Sequence, residues 1–172
     1  MNSCTPKLHT NSLQVAARGE CEIVMTRLFD ARRHLVWDAF TKPELLKRWL
    51  YGPCGWSLLC ERGQNVGDPY RYVWSGPNGE RMGAGGVIRE INPPQRMVVT
   101  ERFDEAWYPG EALITIELTE QGNKTLLTQT LRYESRAARD GVLKSPMEGG
   151  LGMSYDRMAD LLADFPANDS LR

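Results

Sequence analysis

The stretch EALITIELTE-QGN-KTLLTQTLRYE, residues 111–134, decides how the chain folds. It holds two runs of period-two alternation about a three-residue turn. Successive side chains in a strand point to opposite faces. With Thr115 and Glu117 turned to water, Ala112, Ile114, Ile116 and Leu118 share the other face. With Thr128, Thr130 and Arg132 turned to water, Leu127, Gln129, Leu131 and Tyr133 share it too. Gln121-Gly122-Asn123 is too short to allow a crossover, so the two strands are antiparallel neighbours. One apolar sheet face results, and it must be covered by another layer.

The same period continues upstream. Strands are expected over Trp56–Arg62, Tyr70–Ser75, Met82–Ile91 and Arg96–Phe103, separated by the turns Gly76-Pro77-Asn78-Gly79, Asn92-Pro93-Pro94-Gln95 and Pro109-Gly110. These make a six-stranded meander with the hairpin. Its inner face takes Tyr70, Tyr72 and Trp74, then Met97, Val99, Glu101 and Phe103. Met82–Ile91 is glycine-rich, and a bulge is expected there. Before the meander come a strand over Glu20–Phe29, Asp30 as an N-cap, a helix over Ala31–Thr41, and a second short helix over Pro43–Leu50. After it, Ser135 reads as a cap, with Arg136, Arg139 and Asp140 on a solvated helical face. Met147, Leu151, Tyr155, Met158, Leu162 and Phe165 then form one stripe of a long terminal helix, with Asp156, Arg157 and Asp160 on its other side. Pro166 stops it. The class is α+β. The expected division is a flexible leader over 1–19, one domain over 20–165 and a tail over 166–172.

Composition excludes several functions. The 172 residues carry 21 basic and 22 acidic side chains, which is no footprint for a nucleic-acid binder. No run of 18 apolar residues is present to span a membrane, and the N-terminus has no apolar core of a secretory signal. Two histidines, His9 and the surface residue His34, make neither a metal cluster nor a hydrolytic triad. No metal, cofactor or catalytic pair is assigned. The cysteines Cys4, Cys21, Cys54 and Cys60 show no C-x-x-C spacing and read as reduced thiols of a cytoplasmic protein.

Two polar residues fall on the inner face, Glu101 and Gln129. A buried carboxylate without partners is costly, so it is paired, wetted or protonated. Either these two bond each other or a tyrosine inside a filled core, or they anchor a ligand in a cavity between sheet and helix. The candidate lining is Trp56, Tyr72, Trp74, Glu101, Phe103, Gln129, Tyr133, Leu151, Tyr155 and Met158. Gly83-Ala84-Gly85-Gly86 lacks the context of a phosphate loop and reads as a strand thinned for close packing. Gly149, Gly150 and Gly152 either let the terminal helix approach the sheet or soften its first turns into a gate.

Phe29-Asp30-Ala31, Val36-Trp37-Asp38-Ala39-Phe40-Thr41, Pro43-Glu44, Trp49, Gly55-Trp56 and Gly67-Asp68-Pro69-Tyr70-Arg71-Tyr72 resemble a heat-shock-protein-90 ATPase activator homologue-like domain. So do Arg89 to Arg96, Thr100-Glu101-Arg102-Phe103, Ser135 to Asp140 and Met153 to Met158. The resemblance covers about Glu20–Ala163. It departs at Lys42, where an Asp or Asn cap is usual, and at Asp68-Pro69. It implies the SRPBCC superfamily and its helix-grip fold, a curved antiparallel sheet wrapped around a long C-terminal helix, with a hydrophobic ligand commonly held between them. The chain reads as a lone domain, without the second chaperone-binding domain of the eukaryotic activator. Binding of a small hydrophobic or aromatic molecule is therefore the first expectation, as a monomer or homodimer. A chaperone-regulating interaction module is the second, and an enzyme using Glu101 as acid or base the third.

Overall fold

In the computed structural model, which describes residue 9 and residues 12–166, eight strands form one antiparallel sheet. They are β1 (Gln14–Arg18), β2 (Glu22–Phe29), β3 (Ser57–Arg62), β4 (Pro69–Ser75), β5 (Arg81–Asn92), β6 (Arg96–Phe103), β7 (Ala112–Gln121) and β8 (Lys124–Arg132). The strand order is β1-β2-β8-β7-β6-β5-β4-β3. The meander is thus as expected, and one long-range pairing, β2 on β8, joins its end to the start of the chain with Met25 opposite Gln129. Helices α1 (Arg33–Thr41) and α2 (Pro43–Trp49) follow β2, and α3 (Arg136–Leu143) and α4 (Met147–Ala163) follow β8.

The β7–β8 hairpin closes at Gly122, whose φ of 63° suits a residue without a Cβ. The bulge in β5 falls between Ile88 and Glu90. Gly86 serves close approach: a Cβ there would sit 1.8 Å from the Thr100 carbonyl oxygen. The inner faces come out as the alternation predicts. Ala112, Ile114, Ile116, Leu118, Leu127, Gln129, Leu131 and Tyr133 are all buried. Ser135 caps α3, accepting from the Ala138 N–H at 3.1 Å.

Several expectations change. Gln14–Arg18, inside the stretch read as a leader, pairs with β2 over Gln14↔Thr26 to Arg18↔Glu22. It is an edge strand with mostly exposed side chains, so no apolar alternation announces it. Residues 1–8, 10, 11 and 167–172, the rest of the leader and most of the tail, lie outside the described residues. Asp30 does not cap α1; the N-cap is Arg32, with no side-chain bond. Arg139 is buried rather than solvated, because its guanidinium donates to the carbonyls of Gly19 and Glu22, both at 3.2 Å. Arg157 is also buried. It lies over the Tyr51 ring at 4.1 Å and donates to the Gly52 carbonyl at 2.6 Å. Cys54 is disulfide-bonded rather than a reduced thiol, while Cys21 and Cys60 are free. A Cβ added at Gly149, Gly150 or Gly152 would meet nothing within 4 Å, so these glycines are not there for close packing.

Candidate functional site

The concave face of the sheet and α4 enclose an interior with two chemically different ends. At the first, Tyr155 of α4 meets Phe29 at 6.0 Å, Phe40 at 6.1 Å and Trp49 at 5.6 Å between ring centroids. Its hydroxyl donates to Gln129 Oε1. Trp49 Nε1 donates to the Ala39 carbonyl at 2.9 Å. Met158, fully buried, belongs to the same core. This end is packed, and Gln129 is a buried core residue whose side-chain oxygen accepts from a tyrosine.

The second end is a chain of aromatic rings across β4, β6 and the β6–β7 loop. Tyr72 lies 5.8 Å from Trp74, Trp74 stacks on Phe103 at 6.5 Å, and Phe103 lies 5.3 Å from Trp107. Trp107 then meets Tyr108 at 5.4 Å, and Tyr108 meets Tyr133 at 5.2 Å. Glu101 sits on this face of β6, opposite Ala112 of β7. Among the described residues its carboxylate accepts no hydrogen bond. The side chain keeps some solvent access, yet burial pushes its pKa up to about 7. Burial also raises the phenols of Tyr70, Tyr133 and Tyr155, and that of Tyr108 to about 12, and in each the nearby Glu101 charge adds to the rise.

Of the expected lining, Tyr72, Trp74, Glu101, Phe103 and Tyr133 thus gather at the second end, and Gln129, Tyr155 and Met158 at the first. Trp56 and Trp74 flank Gly52, and Leu151 is half-buried against the core from α4. The candidate lining left out Arg62, Tyr108 and Tyr70, the last although strand parity puts it on the inner face. Arg62 was within reach of the same reasoning, since it shares strand parity with the buried Leu58 and Cys60. Tyr108 was not, since no period runs through its loop. Two open pockets lie at the rim of this end. One, of about 460 Å³, is lined by Arg102 and residues 104–109. The other, of about 430 Å³, is lined by Thr100, Ala112, Tyr133 and their neighbours. Tyr108 borders the first of these pockets and Tyr133 the second. Among the described residues no group of His, Cys, Asp or Glu is placed to hold a metal, and no helix is long and apolar enough to cross a membrane.

A curved antiparallel sheet gripping a C-terminal helix is the helix-grip architecture of the SRPBCC proteins. Residues 30–163 match the model of the activator of Hsp90 ATPase homolog 1-like protein family, and the chain belongs to that family. Among solved structures it is similar to a protein of Rhodobacter sphaeroides, at 30% identity and TM-score 0.84, covering 90% of this chain and 99% of that one. A Chromobacterium violaceum protein matches at 26% identity and TM-score 0.70, covering 84% and 98%. One from Arthrobacter aurescens matches at 25% and 0.76, covering 90% and 93%. Among curated proteins, none matches the sequence.

Proposed function

We propose that the protein binds a small hydrophobic or aromatic molecule between the sheet and α4, at the end lined by Tyr72, Trp74, Glu101, Phe103 and Tyr133. The observation that carries this is the Glu101 carboxylate, which faces the interior with no protein partner among the described residues. A core group retained only for packing is normally satisfied, as Gln129 is. An unpaired polar group among apolar walls is the usual make-up of a ligand site. The aromatic faces supply contact area and Glu101 fixes orientation. Two-dimensional NMR titration with a panel of small aromatic compounds tests it. Shifts confined to Trp74, Phe103, Tyr108 and Tyr133 are expected. Shifts scattered over the surface, or none, would refute the assignment.

A second reading rests on the same residue. A carboxyl with pKa about 7 is poised as a general acid or base. Loss of a detected conversion in Glu101→Gln, with binding retained, would distinguish catalysis from carriage.

A further inference from the structure

We propose that the molecule held at this end is an organic cation, an ammonium on an aromatic or alkyl body, with its charge against Glu101 inside the ring of phenols. This rests on the ligand reading above and names the chemical class it takes. Three observations point the same way.

First, Glu101 is uncompensated. Among the described residues none forms an ion pair or hydrogen bond with it, although the fold supplies such partners elsewhere: Asp156 has Arg27 at 2.6 Å and Glu117 has Arg96 at 2.7 Å. Arg62 on β3 faces Tyr70 and Tyr72 rather than closing on Glu101, and its Nη2 lies 2.6 Å from Met97 Sδ. Second, the surrounding oxygens are disposed to accept. The Tyr70 hydroxyl already donates to the Thr100 carbonyl at 2.7 Å and the Tyr155 hydroxyl to Gln129. Their protons are committed and their lone pairs remain. Third, ring faces carry negative potential, and Phe103, Trp107, Tyr108 and Tyr133 form a continuous aromatic wall here. Carboxylate, phenol lone pairs and ring faces all favour positive charge, and cations engage such walls most strongly where water is excluded.

The pH dependence follows from the groups around Glu101. They are Tyr70 and Tyr72 from β4, Arg62 from β3, Tyr108 and Tyr133 from the loops, and Tyr155 from α4. Burial holds the phenols neutral below pH 9, so among these groups Glu101 is the one that changes charge between pH 5.5 and 8.

Three probes of nearly equal shape test the proposal by isothermal titration calorimetry: 2-naphthylmethylamine as the cation, 2-naphthylmethanol as the neutral form and 2-naphthoate as the anion. At pH 8 the amine is expected to bind about tenfold more tightly than the alcohol, an ion pair plus a cation–π contact. That preference should fall to the cation–π part alone, about twofold, at pH 5.5 in the native chain and at pH 8 in Glu101→Gln. The pH series needs no variant, so a folding defect in Glu101→Gln does not blunt the test. Equal or tighter binding of the alcohol or the naphthoate overturns the cation while leaving ligand binding intact. No binding by any probe overturns both.

Discussion

The two ends of the interior are built from the same strands and the same residue types, yet they are finished differently. Around Tyr155 every large ring touches another, the Tyr155 hydroxyl donates to Gln129 Oε1, and Trp49 Nε1 donates to backbone. Around Glu101 the rings also touch, but the carboxylate has no partner, Phe103 is partly buried and Trp107 is 54% exposed. Residue type therefore does not separate core from site in this fold. What distinguishes the two ends is the inward-facing polar residue: Gln129 accepts from Tyr155, whereas Glu101 accepts no hydrogen bond among the described residues. The packed end holds the fold together, and the open end is the one to which the proposed ligand is assigned.

Truncation should expose that contrast most sharply. Trp49 is 2% exposed and packs against Phe40 and Tyr155, so Trp49→Ala is expected to cost about 4 kcal/mol in chemical denaturation. Phe103→Ala should cost less than half as much, because its ring already meets solvent. Comparable losses at both positions would erase the distinction between the two ends.

Next comes the clasp between sheet and helix. Arg27 is buried on β2, and its guanidinium donates to Asp156 of α4 at 2.6 Å. Asp156→Ala strands a buried guanidinium and is expected to cost about 3 kcal/mol. A loss within a few tenths would mean that solvent around the partly exposed Asp156 already supports Arg27.

Glu101 should behave in the opposite sense. Its folded pKa, about 7, lies above the ordinary 4.5, so the native state holds the proton more tightly than the unfolded chain. The contribution of Glu101 to stability then falls as pH rises from about 4.5 to 7 and stays level above that. Glu101→Gln removes the desolvated charge. With residual solvent access allowed for, it should stabilise the apoprotein by roughly 2 kcal/mol at pH 8 and leave it nearly unchanged at pH 4. Thermal melts across that range check it. A variant less stable than the parent at pH 8 would show that the carboxylate has a structural partner.

Most of the fold was legible because the sheet is wet on one face. Thr115 and Glu117 mark the outside of β7, and that alone places Ile114 and Ile116 inside. The bulge in β5 was legible from its glycines. The edge strand β1 was not, since Gln14–Arg18 pairs through its backbone and its side chains carry no pattern. The buried arginines were misread for a related reason. Arg139 donates to the carbonyls of Gly19 and Glu22, and Arg157 Nη1 to that of Gly52, partners distant in sequence that helical periodicity cannot see. Strand parity put Glu101 and Gln129 on one face. It could not say which of them Tyr155 would bond, because that depends on where α4 crosses the sheet.

The smallest effect concerns how the open end is reached. Gly150 and Gly152 lie within α4, and a Cβ at either would meet nothing within 4 Å. No packing demand holds them as glycine, yet each weakens the helix by about 1 kcal/mol relative to alanine. Gly150→Ala and Gly152→Ala should therefore each stabilise the protein by about 0.5–1 kcal/mol. If the soft first turns of α4 serve as a gate, the double variant should also bind and release its ligand more slowly at nearly unchanged affinity, since a stiffer helix opens less often in both directions. Hydrogen exchange over residues 147–153, measured beside stopped-flow binding of 2-naphthylmethylamine, separates the two roles. Stronger amide protection with unaltered rates would leave the glycines without a part in access and place the entry at the Trp107–Tyr108 rim.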